Sequence, residues 1–234
     1  MGQSVTVIGT VFMDCKGFAK KHYDPRGRNL GDIRFVHGGV GRNVAETLAL
    51  MGNKVTFVTT VDDTAMGKEI ADRLAALKMD TRYVRPVERA GMGMWLAVLD
   101  ENGDLAGSVS QMPDLSHLEK LIDEAGEEMV RESAHIVLEL DLNENISRKV
   151  AALAKTYGKP LYGLPGNLDV VLKHRDLLDQ VNCFICNDIE AGRLWEKNLS
   201  GASGEEILEH LIPFADHSGL QAMVVTMGER GSVY

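Results

Sequence analysis

From residue 115 to residue 226 short apolar runs take turns with amphipathic stretches, and that order leaves few architectures open. "AHIVLEL", "PLYGL", "NCFIC" and "QAMVVTM" read as buried strands. A helix covers about 115–131, and "NISRKVAALAKTYG", "LDVVLKHRDLL", "DIEAGRLWEK" and "SGEEILEHLIPFA" read as further helices. Strands joined by helical crossovers lie parallel, and the helices cover both faces of the sheet. The first eighty residues repeat the pattern. "SVTVIG" is a strand ended by Gly9, and "GDIRFVHGG" is a half-exposed strand. The helix that follows carries Val44, Leu48 and Met51 along one face and stops at Gly52. "KVTFVTTV" is the next strand, and the helix "TAMGKEIADRLAALK" carries Met66, Ile70, Leu74 and Leu77 on one stripe. The fold class is α/β, with a doubly wound parallel sheet.

Residues 81–110 break the alternation. "TRYVRPV", "MGMWLAVLD" and "DLAGSVS" are strand-like with no helix between them, and Asn102-Gly103 is a hairpin signal. With "DIRFVHG" they are expected to form a small antiparallel sheet apart from the main one. No repeat or low-complexity linker divides the 234 residues, so a single α/β domain with inserted strands is expected.

Composition removes several function classes. The net charge of −9 and pI near 5.3 argue against a nucleic-acid or anionic-membrane surface. No apolar run approaches membrane-spanning length, and "MGQSVTVIG" lacks the regions of a signal peptide. Met1-Gly2 with Thr6 formally fits an acylation pattern, but the strand starting at Ser4 leaves little free arm. Three cysteines, an odd number, suit a reducing compartment, and a cytoplasmic location is expected. "CFIC" lies within an apolar strand whose alternation puts Cys183 and Cys186 on opposite faces, which favours packing over redox or zinc chemistry.

Four stretches carry candidate chemistry. In "FVHGGVGRNVAETLALMG" glycines surround an Arg-Asn pair at a helix start. A dinucleotide fingerprint would need glycine where Val44 stands, and no Gly-Lys-Ser/Thr follows to make a P-loop. Glycines let a ligand approach the backbone, and the Asn43 amide can donate and accept, which suits sugar hydroxyls. The bland alternative is a tight turn feeding a helix. Asp14, just past the first strand, could accept from two hydroxyls or be a solvated loop residue. Asn187 and Glu190 stand three apart at a helix start, where they could order water around magnesium or simply cap the helix. Thr226, Gly228 and Gly231 in "VTMGERG" could border a nucleotide or form a hairpin.

Taken in order, "VIGTVFMD", "GGVGRNVAETLALMG", "VTTVDDTAMG", "NDIE" and "VTMGERG" resemble the motifs of the ribokinase-like (PfkB-type) carbohydrate kinases along nearly the whole chain. The Gly-Gly-x-Gly-Arg-Asn wording, "LAVLDENGDL" and "ELDLNENI" look most like the pseudouridine kinase branch. The resemblance implies a doubly wound α/β domain with a small β lid from strands near 30–37 and 81–110. It implies phosphoryl transfer from ATP, with Mg²⁺, to a primary hydroxyl of a sugar or nucleoside, pseudouridine foremost. Asp14, Gly38, Gly39 and Asn43 would bind the sugar, and Asn143 would lie near the nucleoside. Asn187, Glu190, Thr226, Gly228 and Gly231 would serve the nucleotide, with Glu190 reaching the metal through water. Homodimerisation through lid strands is implied too.

Two departures from the family pattern stand out. Leu164-Pro165 replaces an acidic residue before the proline, and no Gly-Ala-Gly-Asp motif follows "VTMGERG" before the sequence stops at Tyr234. That motif supplies the family's anion hole and general base, so the catalytic aspartate is expected after Tyr234 and no catalytic residue within the 234. The expectation is therefore a C-terminally truncated, inactive chain, with a sugar-binding pseudoenzyme or another kinase of the family as the alternatives. A nucleotide-binding oxidoreductase is weaker, because its fingerprint fails.

Overall fold

A computed structural model of the protein describes residues 3–140 and 142–234. Met1-Gly2 of the acylation pattern and Asp141 of "ELDLNENI" lie outside the described residues. In chain order the first elements are β1 (Ser4–Ile8), β2 (Phe12–Ala19), β3 (Gly31–Gly38), α1 (Val40–Leu50), β4 (Lys54–Asp62), α2 (Ala65–Ala76) and β5 (Val84–Val87). A hairpin of β6 (Gly93–Leu99) and β7 (Leu105–Gln111) follows, then α3 (Leu115–Glu132), β8 (His135–Glu139), α4 (Glu144–Thr156) and β9 (Leu161–Leu164). The last are α5 (Asp169–Lys173), a 3-10 turn at Arg175–Gln180, β10 (Cys183–Asn187), α6 (Asp188–Trp195), α7 (Gly204–Ser218), β11 (Ala222–Thr226) and β12 (Ser232–Val233). Two compact units share these elements: one takes the residues up to 8, 53–55 and those from 119 on, the other takes 9–52 and 56–118.

The first unit is the wound sheet. Its strands run in the order β12-β11-β10-β9-β8-β1, all parallel except the short β12. β4 starts here, where the Lys54 N–H donates to the Gln3 carbonyl at 3.1 Å. The strands are apolar on both faces because helices cover both, so Ile8, Ile136, Leu138, Phe184 and Val225 are fully buried. Two polar side chains enter this core as a pair, the hydroxyls of Thr6 and Ser133 bonding to one another. Lys149 on α4 reaches Glu119 at 3.0 Å and Asp123 at 2.7 Å on α3. Cys183 and Cys186 are both buried, and burial pushes both thiols up, with the charges of Glu190 and Asp188 adding to the effect at Cys186. "LDVVLKHRDLL" is not one helix. It breaks at His174 into α5 and the 3-10 turn.

The second unit holds β4 beside β5 in parallel, α1, α2 and a four-stranded sheet in the order β3-β2-β6-β7. Two features differ from the sequence reading. β2 is an additional strand, antiparallel to β3 and parallel to β6, so Asp14 lies within a strand rather than in a loop beyond one. "FMDCKGFA" hides it because Asp14, Lys16 and Gly17 interrupt the apolar signal. And "VRPV" pairs with β4, Thr59 opposite Val84, instead of joining the small sheet. The turn at Asn102-Gly103 closes the β6–β7 hairpin, with Gly103 at φ 87°.

α1 also turns a different face inward. Gly41, Arg42 and Ala45 are its buried residues, while Met51 is 73% exposed. A Cβ on Gly41 would sit 2.6 Å from the Gly9 Cα, so the helix packs through glycine against backbone and not through its large side chains. Among the described residues no helix is long and apolar enough to cross a membrane.

Candidate functional site

The second unit gathers Asp14, Gly38, Gly39 and Asn43 around the step from β3 into α1. The register places Asp14 opposite Val36 on one side and Trp95 on the other. Its carboxylate faces the end of β3: a Cβ on Gly38 would lie 2.5 Å from Asp14 Oδ1 and 3.0 Å from Oδ2. Gly38 is thus the gap in which the carboxylate stands. Gly39 is the N-cap of α1 at φ 99°, ψ 130°, a backbone shape that favours glycine, and its Cβ would meet the Thr10 carbonyl oxygen at 2.4 Å. Lys16, two residues along β2 from Asp14, places Nζ 3.5 Å from Asp14 Oδ2 and 5.5 Å from the Trp95 ring centre. Sequence reading missed Lys16 because it missed β2; once the strand is known, the i, i+2 rule puts Lys16 beside Asp14.

The Arg-Asn pair divides its work. Arg42 is buried, and its guanidinium donates to the carbonyls of His37 and Gly38, to Glu46 and to Asn43 Oδ1. Arg73 holds Glu46 from α2. Burial opposes ionisation of Glu46, but the hydrogen bond from Arg73 and the charge of Arg42 outweigh it and hold the carboxyl below its ordinary range. Asn43 itself is exposed. The glycine-rich loop is therefore held by a buried arginine at the His37 and Gly38 carbonyls, while Asp14 stands in the gap at Gly38. Gly91 is fixed in the same unit, its N–H donating to Asp62 Oδ1 and its carbonyl accepting from the Thr60 hydroxyl, both at 2.6 Å.

The first unit carries the other candidates at the carboxyl ends of its parallel strands, where open α/β sheets take ligands. Asn143 follows β8 and caps α4, its Oδ1 accepting from the Ile146 N–H at 2.8 Å. Asn187 ends β10 directly opposite Thr226 at the end of β11. Asn187 and Glu190 form a reciprocal capping box: each side chain accepts from the other's backbone N–H, at 2.8 Å in both cases. The capping alternative is thus realised, and it holds the acid at that strand edge. Thr226 Oγ1 lies 3.4 Å from the Cys186 carbonyl. Gly228 and Gly231 stand at φ 60° and 90° with open space where a Cβ would point. Arg230 between them bonds to Asp188 and to the Ala202 carbonyl, which fixes the turn. Open glycine backbone beside a threonine hydroxyl leaves room for a nucleotide. Hard oxygen donors at Asn187 and Glu190 suit a water-bridged magnesium ion. Tyr234 stands just past β12, 91% exposed.

The pattern of the pfkB family carbohydrate kinases matches residues 3–234. The chain belongs to that family. Guanosine-inosine kinase of Exiguobacterium acetylicum is 38% identical over 98% of this chain and 75% of its own length. Pseudouridine kinase of Escherichia coli K12 is 26% identical over 98% of this chain and 72% of its own. Among solved structures, Arabidopsis thaliana ribokinase complexed with ribose and ATP superposes with a TM-score of 0.79 at 22% identity, covering 99% of this chain and 74% of that one. The resemblance carried by the motifs is thereby confirmed at the level of family and ribokinase-like fold, and membership makes the chain a sugar or nucleoside kinase by descent.

Proposed function

We propose that the acceptor is a nucleoside, held by its ribose at Asp14, Gly38, Gly39 and Asn43, and that ATP is the phosphoryl donor. The single observation that carries this reading is the Asp14 carboxylate standing in the gap left by Gly38, beside a loop whose glycines admit no side chain. A carboxylate accepts from hydroxyls, and bare backbone lets a sugar ring come close. Identity of 38% to guanosine-inosine kinase, against 26% to pseudouridine kinase, supports a purine nucleoside ahead of pseudouridine. A nucleoside contact for Asn143, the cap of α4 after β8, is inferred from motif likeness alone. ATP brings the transferable group, and Mg²⁺, when bound, neutralises its charge. On the protein side Asn187 and Glu190 hold water at the strand edge, and Thr226, Gly228 and Gly231 border the nucleotide.

The 234 residues up to Tyr234 contain no Gly-Ala-Gly-Asp sequence, so we assign no general base within them and expect them to bind without appreciable turnover. The test is calorimetric titration with guanosine, inosine, pseudouridine and ribose, and separately with ATP–Mg²⁺, alongside an ADP-release assay. Guanosine or inosine binding above pseudouridine and ribose supports the reading. Tighter binding of ribose than of any nucleoside refutes it, and brisk ADP release refutes the placement of the base.

A homodimer through the small sheet is part of this proposal. Phe35, Cys15, Leu96 and Val109 stand in one register row across its four strands. Phe35, Leu96 and Val109 are 58, 49 and 69% exposed, with Ile33 at 70% in the neighbouring row. A second copy of the same apolar row is a partner that matches it in length and chemistry. Phe35→Asp is expected to give a monomer by light scattering where the parent chain is a dimer; a monomeric parent chain overturns the assignment. A cytoplasmic location belongs to the same reading.

A further inference from the structure

We propose that Arg42 is a positioning residue that fixes the polarity of the ribose site: it turns the Asn43 amide so that Asn43 meets the ligand only as a hydrogen-bond donor. The inference rests on the nucleoside reading above and deepens it.

The chemistry of the contact settles which way Asn43 faces. Guanidinium nitrogens only donate, so the Asn43 atom 2.5 Å from Arg42 Nη2 is the amide oxygen. That oxygen is committed inward. The NH₂ group has no protein partner among the described residues, and Asn43 is exposed. Arg42 cannot easily turn away, because it is 7% exposed and three further acceptors hold it: Gly38 O at 3.3 Å from Nε, His37 O and Glu46. Glu46 is anchored in turn by Arg73 on the next helix. The Asn43 main chain is fixed too, its N–H donating to Gly39 O at 2.9 Å. The fork geometry matters: a lysine would bring one point of charge in place of a planar set of donors and could not serve all four acceptors.

The consequence is a site with fixed signs. Asp14 offers only acceptors, and Asn43 offers only donors. A ligand is required to present a hydroxyl that donates to Asp14 and an oxygen that accepts from Asn43, as two neighbouring sugar oxygens do. From sequence alone Asn43 could do either.

The test uses the 234-residue chain, guanosine, calorimetry and thermal melting. Asn43→Asp keeps the inward oxygen on Arg42 but replaces the outward NH₂ by an acceptor. The expected result is a melting temperature equal to or above that of the parent chain, with guanosine binding weakened by about 10-fold or more, the worth of a lost hydrogen bond beside a charge. Arg42→Lys, in samples shown folded by circular dichroism, is expected to weaken guanosine binding even though it removes no group that touches the ligand. Unchanged binding in Asn43→Asp overturns the donor assignment, and unchanged binding in folded Arg42→Lys overturns the positioning role. Absence of guanosine, inosine and pseudouridine binding by the parent chain overturns the nucleoside reading itself, and this inference with it, so the two failures are told apart.

Discussion

Adding one methyl group at each of two adjacent glycines is expected to separate binding from folding. In Gly38→Ala the new Cβ would lie 2.5 Å from Asp14 Oδ1, 2.9 Å from Cγ and 3.0 Å from Oδ2, all atoms at the end of a side chain that can rotate away. The fold should lose only the cost of displacing that side chain, about 0.5–1.5 kcal/mol for an off-rotamer shift. Loss of the Asp14–Lys16 pair, with side chains 19 and 31% exposed, adds less than about 1 kcal/mol. The ligand loses more, because the displaced carboxylate no longer meets its hydroxyl. A hydrogen bond to a charged group is worth about 1.5–3 kcal/mol, or roughly 10- to 150-fold in Kd. In Gly39→Ala the new Cβ meets backbone: the Thr10 carbonyl oxygen at 2.4 Å, Val11 Cα at 2.9 Å and Phe12 N at 3.0 Å. Backbone does not rotate away, and φ 99° adds about 1–3 kcal/mol of its own. A total near 3 kcal/mol would lower the melting temperature by about 6–12 °C in a chain of this size. Urea denaturation and guanosine titration on the same samples read both quantities. Equal stability losses in the two variants, or undiminished guanosine binding by Gly38→Ala, would refute the assignment of Asp14 to that gap.

Acid should loosen the clamp under the glycine loop. Glu46 ionises at lower pH in the folded protein than in the unfolded chain, where a glutamate titrates near about 4.3. The unfolded chain therefore binds the extra proton first, so this contribution is full above that pH and is lost as the pH falls through the folded value. Urea midpoints between about pH 7 and pH 3 should drop less steeply in Arg73→Ala than in the parent chain; identical slopes would count against the clamp. In the Phe35→Asp chain, whose small-sheet face stays uncovered, iodoacetamide at about pH 8 should modify half-buried Cys15 and spare Cys183 and Cys186 until denaturant is added, since burial both shields those two thiols and disfavours their thiolates. Peptide mapping checks this, and equal labelling of all three would contradict it. Asn187→Ala should cost about 1 kcal/mol through loss of the α6 cap and should also weaken ATP–Mg²⁺ binding. A stability loss with unaltered nucleotide affinity would leave Asn187 as a cap only.

The sequence by itself determined the parallel wound sheet, the hairpin at Asn102-Gly103 and the order of the motifs. These are properties of local pattern: buried parallel strands must be apolar on both faces, crossover helices must be amphipathic, and a two-residue turn must supply positive φ. Pattern also marked "GGVGRN" as unusual but could not say what its arginine does. Three things awaited tertiary structure. β2 is held by β3 and β6 on its two sides, so pairing made a strand of a stretch with no strand signal, and with it placed Asp14 and Lys16 side by side. α1 turned Gly41 and Ala45 inward because its backbone presses on Gly9, a contact distant in the chain that no periodicity encodes. And Arg42, which as a letter could be a ligand-binding cation, became a buried clamp because four acceptors from His37, Gly38, Asn43 and Glu46 converge on one planar group. Hydrogen-bond direction is fixed by which atoms meet, and only the folded chain brings them together.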